Sequence, residues 1–416
     1  MDRRSLLFTT AAFASFPPLL FGYAMGTKKN IKSFGKAYAY LLEPALRQRE
    51  VGTSQLVIDS AEFSGVAFQH VAWHKVRFVN CDFVGAYEIK LSELRDCVFE
   101  DCRFAGIINW GISRSIRFVR CQAGGQSNVI DLSGSSDVHF ESCSFVGKAQ
   151  SPNNWGGIGS RGDATFVDCK AKWFELAGYK KIVLDRCEAQ DIGIWTDSPA
   201  NSGASYESAA VTIQTSKFRG VLDMAARDLQ SLTIRDTVLE HLNLNNAAIK
   251  SDVLIERVKG GFINAGVTAK SFSIRNSEVF GNGKNISFVM PMDSAQQVLL
   301  ESTNFGTGPM QRVNLGPGRP LQDSEWQAAP INSLAVVRNC TLPIVDASWL
   351  ETQRLVFEGN TIGSLDISNG RIGQLEVNGN SVDRSVNLAK TQVKESKIQV
   401  FAKDQAKFDG SNLKAR

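Results

Sequence analysis

Residues 355–382 read LVFEGNTIGSLDISNGRIGQLEVNGNSV, and this stretch decides the fold. Its large apolar residues recur every five positions, at Phe357, Ile362, Ile367, Ile372, Val377 and Val382. A helix would place apolar residues three and four apart, and an ordinary strand would place them two apart without interruption. The pattern therefore predicts very short strands separated by corners, with an inward pair of residues on each face.

The same beat occurs in two other windows and recurs more loosely between them. The two windows contain Phe63, Phe68, Trp73, Phe78 and Phe83, and Ile234, Leu239, Leu244 and Ile249. Large anchors return at a spacing of mostly 18 to 22 residues at Phe78, Phe99, Phe118, Phe140, Phe166, Leu184, Ile213, Ile234, Ile255, Ile274, Leu300, Val337, Phe357 and Val377. A fixed period of this length is typical of solenoids, so one coil has about 20 residues.

Two five-residue units resemble a known repeat. Ala61-Glu62-Phe63-Ser64-Gly65 and Cys81-Asp82-Phe83-Val84-Gly85 are similar to the motif of the pentapeptide-repeat family, and the units between them are degenerate. The resemblance implies a quadrilateral right-handed β-helix. We therefore predict an all-β chain, a right-handed parallel β-helix with about 20 residues per coil, over residues 56–416.

The N-terminal region precedes this body in two parts. Residues 27–55 are interpreted as a capping helix and lead-in, with the helix from about Asn30 to Glu50 and a kink at Pro44. A cap is expected because an open end of stacked strands exposes unpaired backbone groups. The weak beat after Val382 is expected to close the other end.

Residues 1–26 are interpreted as an export signal or N-terminal anchor, because a basic start is followed by an uncharged run rich in Leu, Phe and Ala. Arg3-Arg4-Ser5-Leu6-Leu7-Phe8 resembles a twin-arginine signal, and a Sec signal is the alternative. The expected location is periplasmic or secreted, or anchored at the membrane through residues 1–26 if they are retained.

The eight cysteines are predicted to point into the solenoid. Seven fall three residues after an anchor, and Cys97 falls two before Phe99; the seven are Cys81, Cys102, Cys121, Cys143, Cys169, Cys187 and Cys340. Coils stack about 4.8 Å apart, which makes a straight column of thiols. Such a column suits tight packing better than zinc, whose four ligands converge on one point.

Four long steps between anchors predict loop insertions on one side of the solenoid, at residues 147–163, 190–208, 281–295 and 306–332. Loops on a solenoid commonly carry the binding residues. The candidates for a binding face are Asn153, Asn154, Trp155, Arg161, Trp195, Asp197, Arg312, Arg319 and Trp326. The tryptophans could equally pack their loops onto the coil.

No catalytic residue, metal ligand or cofactor is predicted. The four histidines fall at outward or corner positions of the repeat, and we find no carboxylate spacing typical of calcium sites. The charged corners mostly alternate in sign and suggest a solvated ladder of opposite charges: Glu100, Arg120, Glu141, Asp168, Arg235, Glu256, Arg275, Glu301, Arg338 and Glu358.

The sequence is compatible with three functions. The favoured hypothesis is a non-enzymatic binding protein of the cell envelope whose partner is another protein, in an immunity-type or envelope-assembly role. The alternative is a β-helix that binds or cleaves polysaccharide. A DNA-mimic role, known in the pentapeptide-repeat family, ranks last. This chain differs from such members by its predicted export signal, by a slight positive balance of 46 basic against 42 acidic residues, and by the lack of an acidic stripe in its sequence. No nucleic-acid partner is expected.

Overall fold

The computed structural model describes residues 28–42, 56–84, 88–104, 107–109, 112–123, 129–132, 134–146, 161–195, 208–225, 227–281, 286–290, 295–306, 311–317, 334–398 and 406–413. Strands account for 66% of the structure and helix for 4%, and the parallel strands stack into a β-solenoid of about 13 turns with roughly 21 residues per coil. The predicted all-β parallel β-helix is confirmed.

The described residues form one 3-10 helix, Ile31–Phe34, one α-helix, α1 (Lys36–Leu42), and a series of parallel strands. The strands, in chain order, are β1 Lys29–Asn30, β2 Leu56–Asp59, β3 Ala61–Glu62, β4 Ala67–His74, β5 Val76–Val79, β6 Glu88–Arg95, β7 Val98–Glu100, β8 Arg103–Phe104, β9 Ile107–Asn109, β10 Ile112–Val119, β11 Gln122–Ala123, β12 Val129–Asp131, β13 Ser136–Glu141, β14 Ser144–Phe145, β15 Arg161–Val167, β16 Lys170–Ala171, β17 Trp173–Ala177, β18 Lys181–Asp185, β19 Glu188–Ala189, β20 Asp191–Trp195, β21 Ala209–Gln214, β22 Lys217–Asp223, β23 Asp228–Arg235, β24 Val238–Asn243, β25 Ala247–Glu256, β26 Lys259–Asn264, β27 Val267–Arg275, β28 Glu278–Val279, β29 Ile286–Val289, β30 Ala295–Glu301, β31 Arg312–Asn314, β32 Leu334–Arg338, β33 Thr341–Asp346, β34 Glu351–Glu358, β35 Thr361–Asp366, β36 Arg371–Asn378, β37 Ser381–Asn387, β38 Gln392–Ile398 and β39 Ala406–Lys407.

The anchors set the register of the coils. Phe78 pairs with Phe99, Phe99 with Phe118, and Phe118 with Phe140, so each anchor lies directly above the next. Many strands are longer than the very short strands predicted. β25, for example, runs ten residues through a register shift between Ile249 and Asp252. Backbone pairing therefore continues across a bend between two faces, which the five-residue beat alone does not reveal.

One corner of the coil is built from residues in the left-handed conformation, each two positions after an anchor. Asn80, Asp101 and Arg120 have φ of 51°, 54° and 50°, and Gly359 and Gly379 have 63° and 64° at the other end of the solenoid. Non-glycine residues adopt this region at an energetic cost, and Asn and Asp do so most readily. The corner recurs because pairing with the coils above and below holds it in place.

The interior is a continuous apolar core with stacked aromatic rings. Phe118 lies between Phe99 and Phe140 with ring centroids 4.9 Å and 4.5 Å away and planes within 9° and 3° of parallel. A second stack joins Phe63, Phe83 and Phe104. The core thus extends from coil to coil, as expected of a solenoid in which each repeat contacts its neighbours.

The N-terminal end is covered by α1. Leu41 is fully buried, its carbonyl accepts a hydrogen bond from the Trp73 indole nitrogen at 3.2 Å, and α1 contacts β4. The predicted helix is present over Lys36–Leu42. A 3-10 turn precedes it at Ile31–Phe34, where the Asn30 side chain accepts from the Lys32 amide. Residues 43–55 lie outside the described part. Among the described residues, no helix has the length and apolar character needed to cross a membrane.

At the C-terminal end of the solenoid, the Asn412 side chain forms the two backbone hydrogen bonds that a further strand would form. The Val393 amide donates to Asn412 Oδ1 at 2.8 Å, and Asn412 Nδ2 donates to the Val393 carbonyl at 2.5 Å. One amide side chain therefore satisfies both backbone groups of a residue on the last long strand, β38. Lys394, Glu395 and Lys397 on that strand further discourage edge-to-edge association.

Three of the predicted insertions contain coil strands. β20 occupies 191–195, β29 occupies 286–289 and β31 occupies 312–314, all paired in parallel with neighbouring coils. These stretches belong to the solenoid body because buried side chains such as Ile192, Ile194 and Val313 continue its core. The fourth insertion, 147–163, ends in β15, which begins at Arg161.

Candidate functional site

Most of the predicted binding residues fall outside the described part of the chain. These are Asn153, Asn154, Trp155, Asp197, Arg319 and Trp326. The structure places three others: Arg161 is the first residue of β15, Trp195 the last of β20, and Arg312 the first of β31.

The structure separates Arg312 from Arg161. The two residues belong to coils that are six pairing steps apart, through the anchors Phe166, Leu184, Ile213, Ile234, Ile255, Ile274 and Leu300. Six coil spacings amount to about 29 Å. Trp195 is nearer, because it pairs with Ala177, three residues before Lys180. The predicted set is therefore not one compact site.

Arg161 lies in a surface groove of about 860 Å³ that runs across several coils. The groove is lined by Ile112, Arg114, Ser115, Gly134, Ser136, Asp137, Arg161, Gly162 and Lys180. Register explains why these residues meet: Arg114 pairs with Ser136, and Ser136 pairs with Arg161. The two arginines are thus two coils apart, about 9.6 Å along the solenoid axis.

The base of the groove is formed by Asp137 and Gly162, which are packed closely together. Gly162 has φ of 69°, and a Cβ there would come within 2.3 Å of Asp137 Oδ1. The same Asp137 oxygen accepts the Asp163 amide at 3.2 Å, which holds this carboxylate in place. Next to Ser136 of the groove, Ser135 is fully buried, and its hydroxyl has no hydrogen-bond partner among the described residues. A side chain at position 162 would therefore disturb the base of the groove.

The guanidinium groups of Arg114 and Arg161 are both exposed, and neither has a hydrogen bond or ion pair to a residue that the structure describes. The lining contributes three cationic side chains, with Lys180, against the single carboxylate of Asp137. Guanidinium groups bind carboxylates and phosphates through two parallel hydrogen bonds. This part of the surface can therefore bind an anion.

The charged corner shows the opposite arrangement, because its arginines are paired within the solenoid. Arg120 makes two hydrogen bonds of 2.8 Å to Asp101, and Arg257 makes bonds of 2.6 and 2.8 Å to Asp236 in an equivalent pair of coils. Hydrogen bonds from Arg77 and Arg120 lower the pKa of Glu100 below its ordinary value. The predicted ladder of opposite charges is present in part. Ion pairs join Arg120 to Glu100, Arg235 to Glu256, and Arg275 and Arg338 to Glu301, whereas Glu141 and Asp168 pair with Arg117 and Arg186.

A second polar column lies on the outer face of the other sheet. It contains Asp223, Asn243, Asn264, Asn314, Asp346, Asp366 and Asn387, which pair coil by coil except across Val289. Several of these side chains cap the turn that follows them. Asp366 Oδ1, for example, accepts the Ser368 amide at 2.8 Å, and its Oδ2 accepts from Asn387 at 3.1 Å. This turn role accounts for the column.

All eight cysteines are buried free thiols, as the spacing predicts. Each forms hydrogen bonds to the backbone of its own corner: Cys102 Sγ donates to the Glu100 carbonyl, two residues earlier, at 3.3 Å. Ser216, Thr237 and Asn380 make the same contact at equivalent corners. The thiols, hydroxyls and amides thus form one column of side chains along the solenoid, and each donates a hydrogen bond to a backbone carbonyl at its corner. No group of three metal-ligating side chains occurs among the described residues.

Alkaline pH is expected to destabilise the fold through these thiols. Burial raises the pKa of Cys97 from 9.0 to about 12. Because the folded pKa is the higher one, the stabilisation is complete below pH 9 and is lost as pH rises toward 12. At pH 10 the Cys97 thiol ionises in the unfolded chain but not in the folded one, which should lower the free energy of unfolding by about 1.4 kcal/mol. Urea unfolding at pH 7 and pH 10 measures this loss.

Cys97→Ser is the matched control, because its hydroxyl can still donate to the Arg95 carbonyl that Cys97 Sγ contacts at 3.2 Å. The variant should lose less stability than the native chain between the two pH values. An equal loss in both proteins would show that ionisation of Cys97 does not contribute.

The histidines form no catalytic constellation among the described residues. His74 lies 3.3 Å from Glu93 and His139 lies 3.6 Å from Glu141, both at the surface of the coil. His241 packs against Phe262, with ring centroids 5.0 Å apart. The side chain of His70 lies outside the described part.

Comparison with known proteins adds no relative to this picture. No family model matches the chain, and searches of curated proteins and of solved structures found no significant match.

Proposed function

We propose that this chain is an exported, non-enzymatic binding protein of the cell envelope, and that it presents its groove to another protein. The observation that supports the proposal is the pair of exposed guanidinium groups of Arg114 and Arg161, which have no partner among the described residues, whereas corner arginines such as Arg120 and Arg257 are neutralised by neighbouring coils. Exposed arginine is enriched in protein interfaces and costs little to desolvate compared with lysine.

The solenoid suits this role because its recognition surface needs no rearrangement. Ser136 and Arg161 lie at the starts of paired strands, and the apolar core directly behind them includes Val138, Phe140 and Phe166. A surface fixed before binding loses less conformational entropy when a partner docks. The export signal predicted at residues 1–26 gives the envelope location.

Site-specific photo-crosslinking tests the proposal in the native host. A photo-reactive phenylalanine analogue replaces Ser136 in the groove or, as control, exposed Arg219 on β22 of the other sheet. We expect one protein adduct of defined mass from position 136 in the envelope fraction, and none from position 219. Absence of an adduct at 136, or equal adducts at both positions, would refute a protein partner at the groove.

Carbohydrate binding is the second candidate, and a different surface favours it. The half-buried Trp173 donates from its indole nitrogen to Asp191 at 2.9 Å, and the Lys172 ammonium lies 4.9 Å from the ring centroid. Nearby on the same strand, burial raises the pKa of Glu175. A glycan array with native chain and Trp173→Ala tests this role; selective binding that the substitution abolishes, without a protein adduct, would favour carbohydrate over protein.

A further inference from the structure

We infer that the groove recognises an extended acidic peptide segment, one that carries apolar side chains between its carboxylates. The inference rests on the proposed function and names the partner's chemistry. It is carried by the placement of Arg114 and Arg161 on either side of Ser136 in one register column.

The charge of the groove selects an anionic ligand. Three cationic side chains face one carboxylate, and that carboxylate, Asp137, is already engaged by the Asp163 amide. Arg114 and Arg161 have no hydrogen bond or ion pair to a described residue, so an anion bound there breaks none of the described ion pairs. The positive charges of Arg114 and Arg161 can therefore interact with a ligand without displacing any of these described contacts.

The spacing favours a ligand with at least two anionic groups. The arginines are separated by about 9.6 Å along the axis, and an extended peptide advances about 3.3 Å per residue. Carboxylates two residues apart project from the same side of an extended peptide, about 6.6 Å from each other, and fall within reach of both flexible arginine side chains when the peptide runs parallel to the axis. A single free phosphate would engage only one end of this arrangement.

The remaining lining residues favour a peptide over an acidic polysaccharide. Ile112 is 53% exposed at the groove and offers an apolar contact that a peptide side chain can fill. The residues that line the groove include no aromatic ring of the kind on which sugars stack. An acidic peptide with interspersed apolar residues matches both the charges and the apolar contact.

A direct binding experiment tests this inference on the full chain. The probe is a fluorescein-labelled peptide of alternating Glu and Leu, followed by fluorescence anisotropy at 50 mM and 200 mM salt. Arg114→Glu/Arg161→Glu should weaken binding at least about tenfold, since charge-assisted hydrogen bonds become repulsions. Higher salt should weaken binding to the native chain, because exposed charges are screened.

The matched control is Arg219→Glu/Lys250→Glu, which has the same change of net charge at exposed positions. Arg219 lies on the other sheet, and Lys250 lies about 19 Å along the axis from Arg161, four coil steps by the anchor register. Its affinity should remain within twofold of the native value. Arg114→Gln/Arg161→Gln removes the charge without reversal and guards against misfolding of the first variant, which circular dichroism monitors.

Each other outcome overturns the inference in a distinct way. Equal affinity in the groove and control variants would move the peptide site elsewhere. Tighter, arginine-dependent binding of polygalacturonate or inorganic phosphate would replace the peptide by an acidic glycan or a free anion. If the adduct at position 136 forms normally in Arg114→Glu/Arg161→Glu, the protein-binding function stands and the acidic-peptide inference fails. If the peptide binds but no adduct forms, the proposed function fails instead.

Discussion

Phe118→Ala is expected to lower the free energy of unfolding by about 3–5 kcal/mol, the usual cost of removing a buried phenylalanine. Phe118 is 2% exposed and stacks between Phe99 and Phe140, with an edge contact to Phe104 at 6.2 Å. Truncation leaves a cavity inside the solenoid, and the paired backbones above and below restrict its collapse. The midpoint of urea unfolding at pH 7 measures the loss.

The position of the damage gives a second measurement of the same variant. Because each coil contacts mainly its neighbours, stability in a solenoid is close to a sum of local terms. Amide hydrogen exchange should therefore accelerate most in 98–104, 116–123 and 136–145. Phe280→Ala, at a ring that is 47% exposed, serves as control and should change stability by no more than about 0.5 kcal/mol. A cost below 1 kcal/mol for Phe118→Ala would mean that the ring stack does not support the core.

The sequence was sufficient for the fold because the inward positions repeat. The step of five residues fixes which side chains face inward, and the buried residues Leu355, Phe357, Ile362, Leu365 and Ile367 follow it. The cysteine positions could be predicted for the same reason. The merging of faces into long strands could not, since that depends on backbone pairing across a bend.

The strands inside the predicted insertions were harder to predict from the sequence than those of the regular coils. Ile192-Gly193-Ile194 has the inward pair of a face, but it lies within the long step from Leu184 to Ile213, for which the repeat predicts a loop insertion. An insertion changes the count of residues around a coil. After an insertion, the five-residue spacing no longer predicts to which face of the coil a short apolar pair belongs.

The groove was only partly predictable. Arg161 was a candidate because it ends an insertion, whereas Arg114 and Lys180 were not candidates. Their proximity depends on register across coils of unequal length, which spacing along the chain does not determine. The lack of a partner for Arg114 and Arg161 among the described residues is likewise a property of the packed coils, since corner arginines such as Arg120 are paired.

Asn360→Ala is expected to cost about 2–4 kcal/mol of unfolding free energy, because it leaves several buried polar groups without a partner. Asn360 is 1% exposed, and its Oδ1 accepts the Cys340 amide at 2.8 Å. Its Nδ2 donates to the Val337 carbonyl at 2.9 Å and to Asn380 Oδ1 at 2.8 Å. Urea unfolding of the variant and the native chain measures the difference.

The conservative variant tests whether the corner column accepts any small hydrogen-bonding side chain. Ser216 and Ser277 occupy equivalent corners, where each hydroxyl donates to a carbonyl two residues earlier at 2.7 Å and accepts an amide of the preceding coil. Asn360→Ser can make the same two bonds at its own corner, so it should recover at least half of the stability lost in Asn360→Ala. If Asn360→Ser loses as much unfolding free energy as Asn360→Ala, this corner requires the longer amide side chain, which contacts both neighbouring coils. Small hydrogen-bonding side chains would then be interchangeable only at the corners that carry thiols and hydroxyls.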